Sequence, residues 1–225
     1  MIRTSEDGAV CVLTLDRPAR RNALSVAGLD ALRGAVGETD APVVYVRGAG
    51  SAFCAGADLS EVEALDGDDA AAFAARGQAA LDAIEATESV VVAGIDGPAR
   101  GGGVELALAC DIRVATPEAT FAEPGVKLGI FGAWGGTRRL PDVVGLGDAL
   151  DLSLSGRTVD AETSLRMGLV SRVTEEPRAV ADEIAANDAG AIARVKELLR
   201  NRDEHDPHQR REAEAFAALV AAREE

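Results

Sequence analysis

The sequence predicts an α/β fold: a core of alternating strands and helices, followed by an α-helical C-terminal region. Three observations predict it. Apolar, β-rich runs at residues 9–15, 42–46, 89–95 and 111–115 are separated by helix-patterned or loop segments. From residue 177 onward the pattern is helical to the end. At residues 97–111 a Pro and three consecutive glycines join a strand pattern to an almost wholly apolar helix. Alternation followed by a helical run points to a layered α/β core with an appended helical unit.

The elements follow in order. Val10, Val12, Leu13 and Leu15 make the first strand, ended by Asp16-Arg17-Pro18. Arg20-Arg21-Asn22-Ala23-Leu24 is a basic loop, and Ser25 is placed to cap a helix reaching residue 36. Residues 42–46 form the second strand, and Gly48-Ala49-Gly50-Ser51 a turn. The small-residue stretch 53–59 leads into a short helix over 60–64. The acidic cluster at 66–69 opens a long Ala-rich helix over 70–86. Strands at 89–95 and 111–115 flank the glycine-rich helix, with a short extended piece at 119–121. Glu123-Pro124-Gly125 turns the chain, and Pro141 breaks a helix over 137–140. Residues 146–155 and 161–167 are helical, and 169–173 is a last strand. The helical tail is interrupted at Asp188 and around 203–207. The division falls into a core of 1–174 and a helical region of 175–225.

At 225 residues the chain fits one large domain or two small ones and can bury a sizeable core. Aromatics make up 3% against 47% hydrophobic residues, so that core is Ala, Val and Leu. The formal charge is −15, from 38 acidic and 23 basic residues, which disfavours nucleic acid and anionic membranes as partners. Lys127 and Lys196 are the only lysines; the other basic residues are Arg. An acidic, Lys-poor composition suits a high-salt, halophilic cytoplasm, and a GC-rich genome would also favour Arg and Ala. Cys11, Cys54 and Cys110 sit in apolar surroundings without paired spacing and read as buried thiols of a reducing compartment. Residues 1–7 lack a signal-peptide core, and no apolar run is long and clean enough to span a bilayer. A soluble, cytoplasmic protein is expected.

Residues 97–111 carry the chemistry. The first N–H groups of a helix have no partner inside it, and with the helix dipole they can hold an oxyanion. Glu105, among Val104, Leu106 and Leu108, is placed for burial, which raises a carboxyl pKa toward the range useful for proton transfer. The same residues equally suit plain packing, with the glycines closing a gap and Glu105 capping the first turn.

Four stretches have a further reading together. They are Leu15-Asp16-Arg17-Pro18 with Asn22-Ala23-Leu24; Ala52-Phe53-Cys54-Ala55-Gly56-Ala57-Asp58-Leu59; Gly101-Gly102-Gly103-Val104-Glu105-Leu106-Ala107 with Cys110-Asp111; and residues 121–140, ending Gly135-Gly136-Thr137-Arg138-Arg139-Leu140. In this order and spacing the chain resembles the crotonase superfamily, also called the enoyl-CoA hydratase/isomerase family. The resemblance implies a crotonase-like spiral of ββα units with an α-helical C-terminal trimerisation region, assembled as a homo-trimer or dimer of trimers. It implies an acyl-CoA thioester as substrate and no separate cofactor, CoA being part of the substrate. It implies that the backbone N–H groups of Ala57 and Gly102 hold the thioester oxygen as it gains enolate charge. Asn22, Ala23 and Leu24, with Ala55, Ala57, Asp58, Leu59 and Ser60, would run along the CoA. Arg20 and Arg21 are candidates for its phosphates, although two loop arginines are more often just solvated. The tail is shorter than in many family members, which implies a more open adenine pocket.

Family hydratases grip one water with two glutamates. Glu105 matches the first; the second belongs to a Phe-x-x-Pro-Glu pattern. Here Phe121-Ala122-Glu123-Pro124-Gly125 puts Gly125 at its place. Glu123 would share a face with position 125 in an extended chain, roughly 6–7 Å away, and is a candidate second acid/base. An exposed Glu beside a Pro is the plainer reading. The leading expectation is an enoyl-CoA hydratase with Glu105 as acid/base. The alternatives are an isomerase, a decarboxylase or a C–C lyase using Glu105 alone, or a non-catalytic acyl-CoA-binding trimer. Trp134, the single Trp, stands where the family usually has a small residue and either narrows the acyl pocket or fills the core. Cys54 has no His near it in sequence and reads as an inert thiol. His205 and His208 read as a polar helix break rather than a metal site. The sequence contains no dinucleotide motif, P-loop or metal-ligand cluster.

Overall fold

Val10, Leu13 and Leu15 carry β2 (Val10–Leu15) into the core, and the mostly exposed β1 (Ile2–Asp7) pairs with it antiparallel. The computed structural model describes residues 1–201 and 205–222. Strands and helices are numbered in chain order. α1 (Val26–Gly37) starts at Ser25, whose Oγ accepts the Gly28 N–H at 3.2 Å. β3 (Val43–Gly48), α2 (Leu59–Val62) and α3 (Gly67–Ala86) follow. Asp66 Oδ1 accepts the N–H groups of both Asp68 and Asp69, so α3 starts inside the acidic cluster rather than at residue 70.

From β4 (Val90–Ile95) onward the chain winds as a spiral. β4 leads to β5 (Pro98–Arg100) and then α4 (Gly102–Ala109). β6 (Ile112–Ala115) leads to β7 (Thr120–Ala122), a 3-10 turn (Pro124–Leu128) and α5 (Gly136–Ser155). β8 (Val159–Asp160), α6 (Ala161–Arg166) and β9 (Arg172–Val173) complete the core. Six strands form the large sheet in the order β1-β2-β3-β4-β6-β9, parallel from β2 onward, and β5-β7-β8 form the small one. The first two of these turns each add one strand to both sheets before a helix, which is the expected ββα spiral.

Helices cover both faces of the large sheet. On one face Leu13, Val44, Val91 and Ala93 pack with α1, α3 and α4 through Leu29, Leu81 and Leu106. On the other, Val43, Tyr45, Val92 and Val114 meet Val180 and Ala181 of α7 (Arg178–Ala185). α8 (Ala189–Arg200) packs on β4, and α9 (His205–Ala221) packs on α8. Lys196 of α8 donates to Ser89 O at 2.7 Å and pairs with Asp111 at 2.9 Å. Arg200 donates to Asp111 at 2.7 Å and to Glu85 at 2.9 Å, so the helical tail is stapled to the sheet. Lys127 Nζ donates to Gly156 O at 2.6 Å, so both lysines are spent inside the molecule.

Several expectations change. β1, β5 and β8 were not foreseen. α5 continues through Pro141, whose fixed φ is itself helical and which forfeits only one hydrogen bond. The break falls at Gly145, with φ +78° and ψ 160°, a conformation open mainly to glycine. Asp188 interrupts the tail as the cap of α8, its Oδ1 accepting Ala191 N–H at 2.8 Å. Of the interruption expected at 203–207, residues 202–204 lie outside the described residues, and α9 already contains Pro207. No helix among the described residues is long and apolar enough to cross a membrane.

Candidate active site

Two loops meet at the start of α4. Cys54 N donates to Pro98 O at 3.2 Å and Arg100 N to Cys54 O at 3.0 Å, which lays residues 54–57 beside the entry to the helix. On the other side Leu24 N donates to Gly56 O at 2.8 Å and Asp58 N to Leu24 O at 2.9 Å. That pairing turns the Ala57 N–H away from Leu24. Gly102 is the first residue of α4, where an N–H has no intrahelical acceptor. Neither the Ala57 nor the Gly102 N–H has an acceptor among the described residues. A free donor at a helix N-terminus, with a second in the loop laid beside it, is suited to an anionic oxygen.

The residues expected along CoA divide into two groups. Arg20, Arg21, Leu59 and Ser60 are exposed, and Ala55 and Ala57 are half-buried. Asn22, Ala23, Leu24 and Asp58 are buried and hold the loops instead. Asn22 Nδ2 donates to Ala49 O at 2.9 Å and Ala52 O at 2.7 Å, while its Oδ1 accepts Arg17 N–H at 3.0 Å. Asp58 accepts from the Ser60 N–H and hydroxyl and from Arg17, and these partners hold its carboxyl below the usual carboxylate range. The side chains of Asn22 and Asp58 are therefore spent internally, and a ligand could meet only their backbone.

Glu105 is 1% exposed. Its Oε1 accepts the Trp134 N–H at 2.8 Å and the Gly136 N–H at 2.7 Å. Burial raises its pKa, opposed by those two N–H groups and by the charge of Arg139. Arg139 was not singled out from the sequence, where it is one arginine among many. It is buried; its Nη1 donates to Trp134 O at 2.9 Å, and its Nη2 to Glu85 at 2.8 Å and to Asp82. Gln78 adds a bond to Ala133 O at 2.9 Å, so the loop that grips Glu105 is itself tied to α3.

Glu123 is not the exposed residue its neighbouring Pro suggested. It follows β7, on the face of buried Phe121, and its Oε1 is buried with no hydrogen-bond partner. Val104, Phe121, Leu140, Leu152 and Leu169 surround it with apolar atoms. Burial, and then the charge of Glu105, push its pKa up to about 8. The alternation that would have placed Glu123 beside position 125 does not apply, because the chain leaves the extended form at the 3-10 turn. At Gly125 a Cβ would lie 3.0 Å from both Ile130 O and Phe131 Cα, so a larger side chain there is crowded.

Trp134 is buried, its ring 5.7 Å from that of Phe73. Cys54 is buried, its thiol pushed up to about 12 by desolvation, as expected of an inert group. The side chain of His205 lies outside the described residues; among those described, no three His, Cys, Asp or Glu are grouped to hold a metal.

The geometry has close relatives. A family model described as enoyl-CoA hydratase/isomerase matches residues 5–220. A short-chain-enoyl-CoA hydratase of Clostridium acetobutylicum is 35% identical over 205 residues, covering 86% of this chain and 78% of the relative. The crystal structure of an enoyl-CoA hydratase from Bacillus anthracis superposes with a TM-score of 0.92 at 31% identity, covering 98% of this chain and 91% of that one. The structure of Pseudomonas aeruginosa DspI superposes with a TM-score of 0.90 at 35% identity, covering 98% and 96%.

Proposed function

The chain belongs to the enoyl-CoA hydratase/isomerase family, and from that premise we propose that it is an enoyl-CoA hydratase, a carbon–oxygen lyase adding water reversibly to a 2-enoyl-CoA. One observation carries the reading. Buried Glu105 and half-buried Glu123, whose carboxyl is pushed up by burial and by the charge of Glu105, lie beside a helix start with a free N–H.

In this reading the thioester oxygen sits against the N–H groups of Ala57 and Gly102. A water lies between the carboxyls. Glu105, with two N–H groups on Oε1, is the carboxylate and takes one proton from the water. The water oxygen bonds to C3, and the C2–C3 π electrons move toward the thioester, leaving enolate charge on the oxygen. Glu123, protonated at neutral pH, gives its proton to C2. The enolate collapses to the 3-hydroxyacyl thioester, the water's other hydrogen stays on the new 3-hydroxyl, and Glu105 passes the proton it took to Glu123 through solvent. Removing one such oxyanion donor typically costs about 3–4 kcal/mol of barrier.

A homo-trimer or dimer of trimers fits this reading. Leu146, Leu150 and Leu154 form an exposed apolar stripe along α5, of the kind that a partner copy covers. Sedimentation in high salt tests it; a monomer at micromolar concentration counts against it. The catalytic test is loss of enoyl absorbance from crotonyl-CoA in high salt. Turnover abolished in Glu105→Gln and sharply lowered in Glu123→Gln supports hydration. Tight binding without turnover would instead favour a non-catalytic acyl-CoA binder.

A further inference from the structure

We propose that Trp134 is a specificity-determining residue that closes the acyl end of the site and restricts it to short-chain thioesters. The proposal rests on the reading that the thioester oxygen meets Gly102. The indole occupies the gap between α3 and the start of α4. A Cβ on Gly102 would lie 2.3 Å from Trp134 Cζ3, and one on Gly77 of α3 would lie 2.1 Å from Cδ1. The ring is therefore seated directly on two helix backbones, and both seats exist because those residues are glycine. Phe73, also on α3, packs beside it, tilted by 55°.

The residue is fixed at its backbone too. Its N–H is held by Glu105 Oε1 at 2.8 Å and its C=O by Arg139 Nη1 at 2.9 Å. Arg139 in turn pairs with Asp82 and Glu85 of α3. These bonds fix the Trp134 backbone, and the close approach of Gly77 and Gly102 fixes where the ring sits. The acyl carbons next to the thioester must lie between Gly102 N and the Glu105 carboxyl. Trp134 touches both of those residues. A longer tail directed toward α3 meets the indole, at 2% exposure, instead of an apolar channel.

An apolar channel would strengthen binding by about fourfold for each added methylene. The test is calorimetric titration of the full chain with butyryl-CoA and decanoyl-CoA, which are saturated and cannot be hydrated. Expected is a gain of less than about threefold from butyryl to decanoyl in the wild type, and of more than about tenfold in Trp134→Ala. Trp134→Phe, which keeps an aromatic in the notch, should fall between them and serves if the alanine variant does not fold. A wild type that binds decanoyl-CoA more than about tenfold tighter overturns the proposal, as does the same ratio in wild type and variants. If neither thioester binds, the hydratase reading fails as well. Binding of both with unchanged selectivity sinks only the role of Trp134.

Discussion

Glu123→Gln should abolish a loss of stability with rising pH that the wild type carries. The wild-type carboxyl is surrounded by apolar side chains and has one oxygen without a partner, and burial with the charge of Glu105 pushes its pKa up from 4.5 to about 8. A carboxyl with a raised folded pKa holds its proton more tightly in the folded than in the unfolded state. Its contribution to stability is complete below the unfolded value of 4.5, is lost as pH rises, and levels off above about 8. At about 1.4 kcal/mol per pH unit the interval corresponds to a ceiling of roughly 4–5 kcal/mol. Glutamine keeps the shape and does not titrate. Urea unfolding of both proteins at constant high salt, from about pH 5 to about pH 9, measures the difference. The wild type should lose at least about 2 kcal/mol relative to Glu123→Gln across that range. Curves that stay parallel within about 0.5 kcal/mol would mean that the carboxyl is solvated, and the acid role given to it would fall.

The same group sets a kinetic limit: kcat for crotonyl-CoA hydration should decline as pH rises through about 8, where Glu123 loses its proton. A flat profile through that region would remove Glu123 from the proton path. Gly132→Ala puts a Cβ 2.8 Å from Glu105 Cδ and Oε2; kcat should drop by about 10–100-fold, with a stability cost of about 1–3 kcal/mol in thermal melts. Gly125→Glu should raise hydration by less than about threefold, because the position is crowded and Glu123 already serves; a gain above about tenfold would mean that the site lacked its second carboxylate. Lys196→Met removes the ammonium shared by Ser89 O and Asp111, and should cost about 3 kcal/mol in urea unfolding, while a change below about 1 kcal/mol would show the staple to be dispensable.

The burial of Glu105 and the helix start at Gly102 were legible, because a glycine triplet before an apolar helix is a local pattern; the pairing of Gly102 with Ala57 came only from the family resemblance, since backbone donors leave no side-chain signature. The direction of Glu123 was not legible. It depends on β7 pairing with β5, Arg100 opposite Ala122, a contact between segments distant in the chain. Its neighbour Pro124 spoke for a turn, and the structure does turn there, but only after the carboxyl has been folded inward. Asn22 and Asp58 were found by motif and assigned to the ligand, whereas their hydrogen bonds run to loop partners that no local pattern reveals. Arg139 is the same case, since its partners lie on α3. β1 escaped notice because as an edge strand it is exposed along its length and lacks apolar alternation. Pro141 misled because a helix interior tolerates one missing hydrogen bond when the helix bends elsewhere, here at Gly145.

The staple from α8 also sets a schedule for the chain during synthesis. Lys196 reaches Ser89 across 107 positions. At ~5–20 residues per second, the carbonyl of Ser89 waits roughly 5–20 s for its partner to be made. Over most of that interval Asp111 lacks both cations, and the face of β4 that α8 will cover is bare. A nascent chain stalled before Lys196 would therefore present an apolar sheet surface with a lone carboxylate beside it, a target for chaperones that scan emerging polypeptides and a nucleus for aggregation where they are scarce.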